Sequence, residues 1–139
     1  YLADNAGEIG FDRLLIEHLP VEKVTVVVKS APIINDATME DAQAVGLTSI
    51  VEVIENGSDA PGTLLNDCSA DFQSRFINAD LVIAKGQGNY ETLSDIDQSI
   101  YFLLKIKCSV IANHMGCDVG RMIFQHSAAY KGKKQNAKT

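Results

Sequence analysis

The chain has 139 residues and a mass of 15.0 kDa, with 46% apolar and 22% charged side chains and a formal net charge of −6. That length builds one domain with a real core, and the composition excludes a disordered or fibrous chain. No apolar run reaches the roughly 18–20 residues of a bilayer span, and so acidic a surface argues against nucleic acid as a main partner.

The start, Tyr1-Leu2-Ala3, carries neither methionine nor a signal pattern and is apolar enough to end a buried strand. We therefore expect a fragment whose missing part lies on the N-terminal side. After Asp4-Asn5-Ala6-Gly7-Glu8, the residues Ile9, Phe11, Leu14, Leu15 and Leu19 fall at helical spacing up to Pro20. Val24–Val28 is a continuous apolar run, the mark of a strand covered on both faces. Asp36 or Thr38 then caps a helix through Met39, Ala42 and Val45, with Gly46 as its stop. Ser49–Ile54 reads as a strand, Asn56–Thr63 as a loop, and Leu64, Leu65, Cys68, Phe72 and Phe76 as a helix. Asp80–Ala84 is a further strand, followed by a glycine-bearing loop, Lys85–Glu91. Ile100–Ile106 fits helix or strand, Cys108–Ala112 reads as a fifth strand, and Val119–Phe124 as a short sixth. The alternation predicts one doubly wound α/β domain over residues 1–130, with a basic, frayed tail at 131–139.

Cys68, Cys108 and Cys117 have no disulfide or zinc spacing, and their odd number without a secretion signal points to a reducing cytoplasm. His18, His114 and His126 are far apart and show no metal spacing. No nucleophile elbow is present.

In open parallel sheets, ligands bind outside the carboxyl ends of the strands. Three polar segments stand there. Asp4 and Asn5 offer adjacent hard oxygens for a divalent cation such as Mg²⁺ or Mn²⁺. Equally, either one caps the next helix, with Glu8 completing a capping pair. Asn35-Asp36 repeats the pairing after a second strand, so two loops supply three oxygen ligands and leave solvent positions open. Lys85-Gly86-Gln87-Gly88-Asn89 places a cation and two flexible residues at a third tip, without the spacing of a Walker A or dinucleotide loop.

Asp4-Asn5-Ala6-Gly7-Glu8-Ile9 with Phe11-Asp12, Pro32–Thr38 with Asp41, Lys85–Glu91, and Phe102–Cys108 occur in this order. Together they resemble the DUF89 family of damage-control, metal-dependent phosphatases over nearly all of residues 1–125. The resemblance implies a three-layer, Rossmann-like α/β/α domain with a mostly parallel sheet. In stand-alone prokaryotic members a mostly helical N-terminal part precedes it. It further implies a divalent metal (Mg, Mn, Co or Ni) on Asp4, Asn5 and Asp36, and Lys85, Gly86 and Asn89 at the phosphate. Gly7, Asn35 and Gly88 complete the expected substrate loops. The implied reaction is hydrolysis of small phosphate monoesters, sugar phosphates or damaged phosphometabolites, by metal-activated water. Glu8 or Glu91 is the candidate general base, and Asp4, Asp36 and Lys85 the other catalytic candidates. A non-catalytic phosphometabolite-binding module and an inactive fragment are the alternatives; carboxyl methylation, also linked to the family, has no methyl-donor motif here.

Overall fold

In the computed structural model, residues 1–128 are described. Among the described residues five strands form the sheet: β1 (Thr25–Val28), β2 (Glu52–Glu55), β3 (Val82–Lys85), β4 (Ile100–Lys105) and β5 (Met122–His126). The α-helices that accompany them are α1 (Ile9–Ile16), α2 (Met39–Ala44), α3 (Ala70–Asn78), α4 (Gln87–Leu93) and α5 (Ser109–Met115). β1 pairs in parallel with β2, and β3 with β4, while β5 runs antiparallel to β4 with Phe124 opposite Leu103.

The two halves are joined by the first three residues. Leu2 bridges in parallel to Val27 on one side and to Ala84 on the other. Its amide donates to the Ile83 carbonyl (2.8 Å), and the Ala3 amide donates to the Val27 carbonyl (3.0 Å). Counting residues 1–3 as the first strand, the order across the sheet is 3-2-1-4-5-6, that of a doubly wound α/β sheet. The strand order reverses its progression between residues 1–3 and β3, so Asp4 emerges at the topological switch point. The mixed α/β architecture with a mostly parallel sheet is the one expected.

Two buried clusters cover the sheet. Ile9 and Ile16 of α1 and Ala42 of α2 pack with Ala3, Val26 and Val28. Phe72 and Phe76 of α3, Tyr90 and Leu93 of α4, and Ile111 of α5 pack with Leu2, Ala84, Phe102 and Leu104. The alternation along β1, with Val26 and Val28 facing one cluster and Val27 the other, is what an apolar strand between two layers requires. Thr38 caps α2, the Asp41 carboxylate accepting from its amide (2.8 Å) and hydroxyl (2.9 Å). Gly46 follows α2 at φ +71°, a left-handed turn that glycine adopts without strain.

Several elements differ from the reading of the sequence. Ile100–Lys105 is the strand β4, and Cys108–Ala112, expected as a strand, instead opens α5. The burial there is helical rather than alternating: Ile111 and Ala112 are both buried and Val110 is exposed. The sixth run forms β5 three residues later than expected. The segment read as one helix from Leu64 is a 3₁₀ turn at Leu65–Asp67, after which Ser69 caps α3 by accepting from the Phe72 amide. The glycine loop is short, because α4 begins at Gln87. In α1 the inward residues are Ile9, Asp12 and Ile16, while Phe11, Leu14 and Leu15 are exposed. The expected tail at 131–139 lies outside the described residues. No helix among the described residues is long and apolar enough to cross a membrane.

Candidate metal and phosphate site

Beyond the end of β1 the chain doubles back and fills the gap between two strand tips. Lys29 bridges in parallel to Thr38, and Asn5 bridges antiparallel to Asp36. The Ala6 amide donates to the Asn35 carbonyl (2.8 Å), and the Ala37 amide donates to the Asp4 carbonyl (2.7 Å). These bonds bring the two acid–amide pairs together although they are some thirty residues apart in sequence. The turn before Asp36 holds Ile34 at φ +50° and 89% exposed, a conformation a β-branched residue adopts only under strain.

On the other side of the switch point, Gly86 makes room for Asp4. A Cβ on Gly86 would fall inside the Asp4 carboxylate, 2.6 Å from Oδ1 and closer still to Cγ and Oδ2. The Gly86 backbone, at φ +88° and ψ 161°, belongs to a region that is essentially glycine's alone. The Asp4 carboxylate feels the charge of Asp36. Burial, then the charges of Asp36 and Glu8, raise Asp4 from 3.8 to about 6 against the pull of Lys107 and Lys85. Burial also raises Asp36, against the opposing charges of Lys29 and Lys107. Among the described residues neither carboxylate accepts a hydrogen bond. Asn5 forms a turn instead of a helix cap, its Oδ1 accepting from the Gly7 amide (2.7 Å) with a second lone pair left over. Glu8 is the N-cap residue of α1, without a capping side-chain bond.

Two half-buried acids that accept no hydrogen bond among the described residues, and an amide oxygen with one lone pair to spare, form a hard all-oxygen set that suits a divalent cation. The described residues contain no group of three His, Cys, Asp or Glu side chains placed to hold a metal. A cation at this cluster would meet two acids and one amide.

The cations around it differ in how far they are committed. Lys29 is buried and donates to the carbonyls of Ala60 (2.9 Å) and Gly62, tying the 56–63 loop to the end of β1; burial lowers its pKa. Lys85 donates to Glu8 Oε2 (3.0 Å) and Asp12 Oδ1 (2.8 Å). Lys107, just past the end of β4, forms no ion pair among the described residues, yet its charge acts on both Asp4 and Asp36. Its amide donates to Gln87 Oε1 (2.9 Å), which fixes that loop against α4. The sequence reading did not single out Lys107 or Asp12 as site residues.

The remaining candidates are spread more widely. Asn89 is buried, its amide donating to the Lys85 carbonyl (2.8 Å) and its Oδ1 accepting from the Thr63 hydroxyl (2.7 Å), so it clasps the β3 tip to the 56–63 loop. Gly88 lies in the first turn of α4 against the Gly62 backbone. Asn35 contributes its carbonyl to the pairing with Ala6 and is exposed. Glu91 accepts from Gln87 Nε2 (2.8 Å) on the surface of α4. His114 sits edge-on to Tyr90, and His126 lies beside Ser99 and Tyr101 on the sheet. A cavity of about 570 Å³, lined by Leu19, Thr25, Phe76, Asp80 and Val82 among others, opens at the amino ends of the strands, away from Asp4.

Residues 1–123, which contain every residue of this cluster, match the profile of the damage-control phosphatase ARMT1-like domain. The chain belongs to that family. Damage-control phosphatases of Pyrococcus horikoshii and Archaeoglobus fulgidus are each 43% identical to it over 127 residues, which are 88% of this chain and 44% of theirs. An uncharacterized protein of Methanocaldococcus jannaschii is 48% identical over 126 residues, 86% of this chain and 41% of its own. The crystal structure of a DUF89 family protein from Pyrococcus horikoshii superposes with a TM-score of 0.86 at 42% identity, covering 91% of this chain and 46% of that one. The chain thus spans less than half the length of these ARMT1-like relatives.

Proposed function

We propose that this chain carries a metal-dependent phosphatase site that hydrolyses small phosphate monoesters. The carrying observation is the meeting of Asp4, Asn5 and Asp36 at the switch point, with Gly86 giving the Asp4 carboxylate its space. The name damage-control phosphatase, borne by two of the relatives, supports the same reading.

Asp4 and Asp36 would hold a divalent cation (Mg, Mn, Co or Ni) with the Asn5 amide oxygen as third ligand. Bound there, such a cation polarises a phosphoryl oxygen and makes water a usable nucleophile near neutral pH. The other groups handle the phosphate dianion, whose charge must be balanced as the bond to the leaving oxygen stretches. Lys107 brings a charge that forms no direct ion pair among the described residues, and Lys85 brings one shared with Glu8 and Asp12. We assign to the carboxylate of Glu8, half-exposed beside Lys85, the role of accepting a proton from attacking water. A sugar phosphate or a similar damaged metabolite is the substrate class we assign.

The test is hydrolysis of p-nitrophenyl phosphate by this chain with Mn²⁺, Co²⁺, Ni²⁺ or Mg²⁺ and with chelator. The reading expects metal-dependent turnover that Asp36→Ala reduces by about 100-fold or more, the scale of losing one well-placed electrostatic group. Equal rates for the parent and Asp36→Ala would sink it.

A further inference from the structure

Asp12 is an acid on the inward stripe of α1, between Ile9 and Ile16, and only 4% exposed. Its Oδ1 accepts from the Tyr1 hydroxyl (2.6 Å) and from Lys85 Nζ (2.8 Å), while its Oδ2 is buried without a partner. A buried carboxylate with half its acceptors unmet is a poor contributor to stability, and such groups call for a role other than packing. Lys85 is 14% exposed, and its second partner, Glu8, is 49% exposed. Burial alone would pull the Lys85 ammonium down, but the hydrogen bond and charge of Asp12, joined by Glu8, outweigh it and raise the pKa. The two acids therefore differ in kind. Asp12 is fixed from behind by Tyr1 and by the helix, whereas Glu8 stands at the solvent side.

We propose that Asp12 is a positioning residue that holds the Lys85 ammonium in place for a phosphate group, which on binding displaces Glu8 and leaves Asp12 engaged. The inference rests on the phosphatase reading for the identity of the anion. It separates from a simpler alternative by sign. An acid that only competed with phosphate for Lys85 would weaken binding, so its removal would tighten phosphate. An acid that positions the lysine has the opposite effect.

The experiment is titration calorimetry of inorganic phosphate, with Mn²⁺ present, into the parent, Asp12→Leu, Asp12→Asn, Lys85→Met and the double variant Asp12→Leu/Lys85→Met. Circular dichroism establishes that each is folded. If the leucine variant does not fold, Asp12→Asn alone and with Lys85→Met is scored by the same criteria. Expected are a roughly tenfold weaker phosphate affinity for Asp12→Leu, a smaller loss for Asp12→Asn, and no further loss when Asp12→Leu is added to Lys85→Met. With p-nitrophenyl phosphate, KM should rise more than kcat falls. Tighter phosphate binding, or losses that add in the double variant, would overturn the proposal. A parent that binds phosphate without turning over the ester refutes the proposed function while the cycle still reads the role of Asp12. A parent that binds no phosphate refutes both.

Discussion

Gly86→Ala tests the geometry of the site most directly, because the space it fills belongs to the Asp4 carboxylate. The new Cβ would stand 2.6 Å from Asp4 Oδ1 and closer to its neighbours, so the two must separate by about 1 Å to reach ordinary contact. The Gly86 backbone has little freedom to retreat: its amide donates to the Leu103 carbonyl (3.0 Å), and the preceding Lys85 amide donates to Leu2 (3.0 Å). Asp4 is held through its carbonyl by Ala37 (2.7 Å), so its side chain is what swings away. A displacement of about 1 Å at a reacting centre costs on the order of 10²-fold in rate, or about 2.7 kcal/mol of transition-state stabilisation. Forcing an alanine into φ +88°, ψ 161° costs a further 1–3 kcal/mol or so of stability. The expected result is a kcat/KM for p-nitrophenyl phosphate lowered about 100-fold, with a melting temperature lower by roughly 4–12 °C. Gly88→Ala is the matched control. Its Cβ would meet the Gly62 backbone at 3.4–3.5 Å, an ordinary contact, and alanine favours a helix by about 1 kcal/mol over glycine. That variant should keep its stability. Activity within about threefold of the parent in folded Gly86→Ala would refute the claim that Asp4 works from the place this glycine allows.

Two further outcomes follow from the charges. Because Asp4 is raised from 3.8 to about 6, the metal-free folded chain holds its proton more tightly than the unfolded chain does. The stability Asp4 contributes is then fully present below pH about 4 and is lost as pH rises through about 6. A divalent cation favours the ionised form, so the rise in melting temperature on adding Mn²⁺ should be larger at pH 7 than at pH 5; equal rises in differential scanning fluorimetry would contradict this. Lys29→Met removes an ammonium that two loop carbonyls share and should cost about 2–3 kcal/mol, the scale of hydrogen bonds to a charged group. Urea unfolding measures that loss, and limited proteolysis should locate new cleavage within residues 56–63; an unchanged digestion pattern would show that the loop does not depend on Lys29.

Much of the fold was legible because its signals are local. The run Val24–Val28 has no polar face to mislead, and Thr38 and Gly46 mark the ends of α2 by chemistry that acts within a few residues. The strand-tip rule likewise singled out Asp4, Asn5 and Asp36, whose segments the structure pairs. What a local pattern could not carry was the choice between helix and strand for Ile100–Ile106 and Cys108–Ala112. Runs of five to seven apolar residues satisfy both periods, and the decision belongs to tertiary pairing, here the parallel register of Ile100 with Val82. That ambiguity hid Lys107 as well. Once β4 is known to end at Lys105, Lys107 stands at a strand tip beside the two carboxylates, where the same rule would have named it.

Asp12 was hidden by a different cause. The apolar residues Phe11, Leu14 and Leu15 suggested where α1 faces inward, and all three are exposed. The buried stripe, Ile9, Asp12 and Ile16, has helical spacing too, but with an acid at its centre. A hydrophobic pattern discounts such a stripe because burying an unpaired charge is prohibitive. The pairing that makes it tolerable comes from Lys85, 73 positions away, and no window of sequence contains both. An acid on an otherwise apolar helical stripe, directly after a strand-tip cluster of oxygen donors, therefore signals a buried partner cation rather than a mistaken face. In this chain that partner is Lys85, the lysine that the family resemblance assigns to the phosphate, and its bond to Asp12 ties the tip of β3 to the first turn of α1.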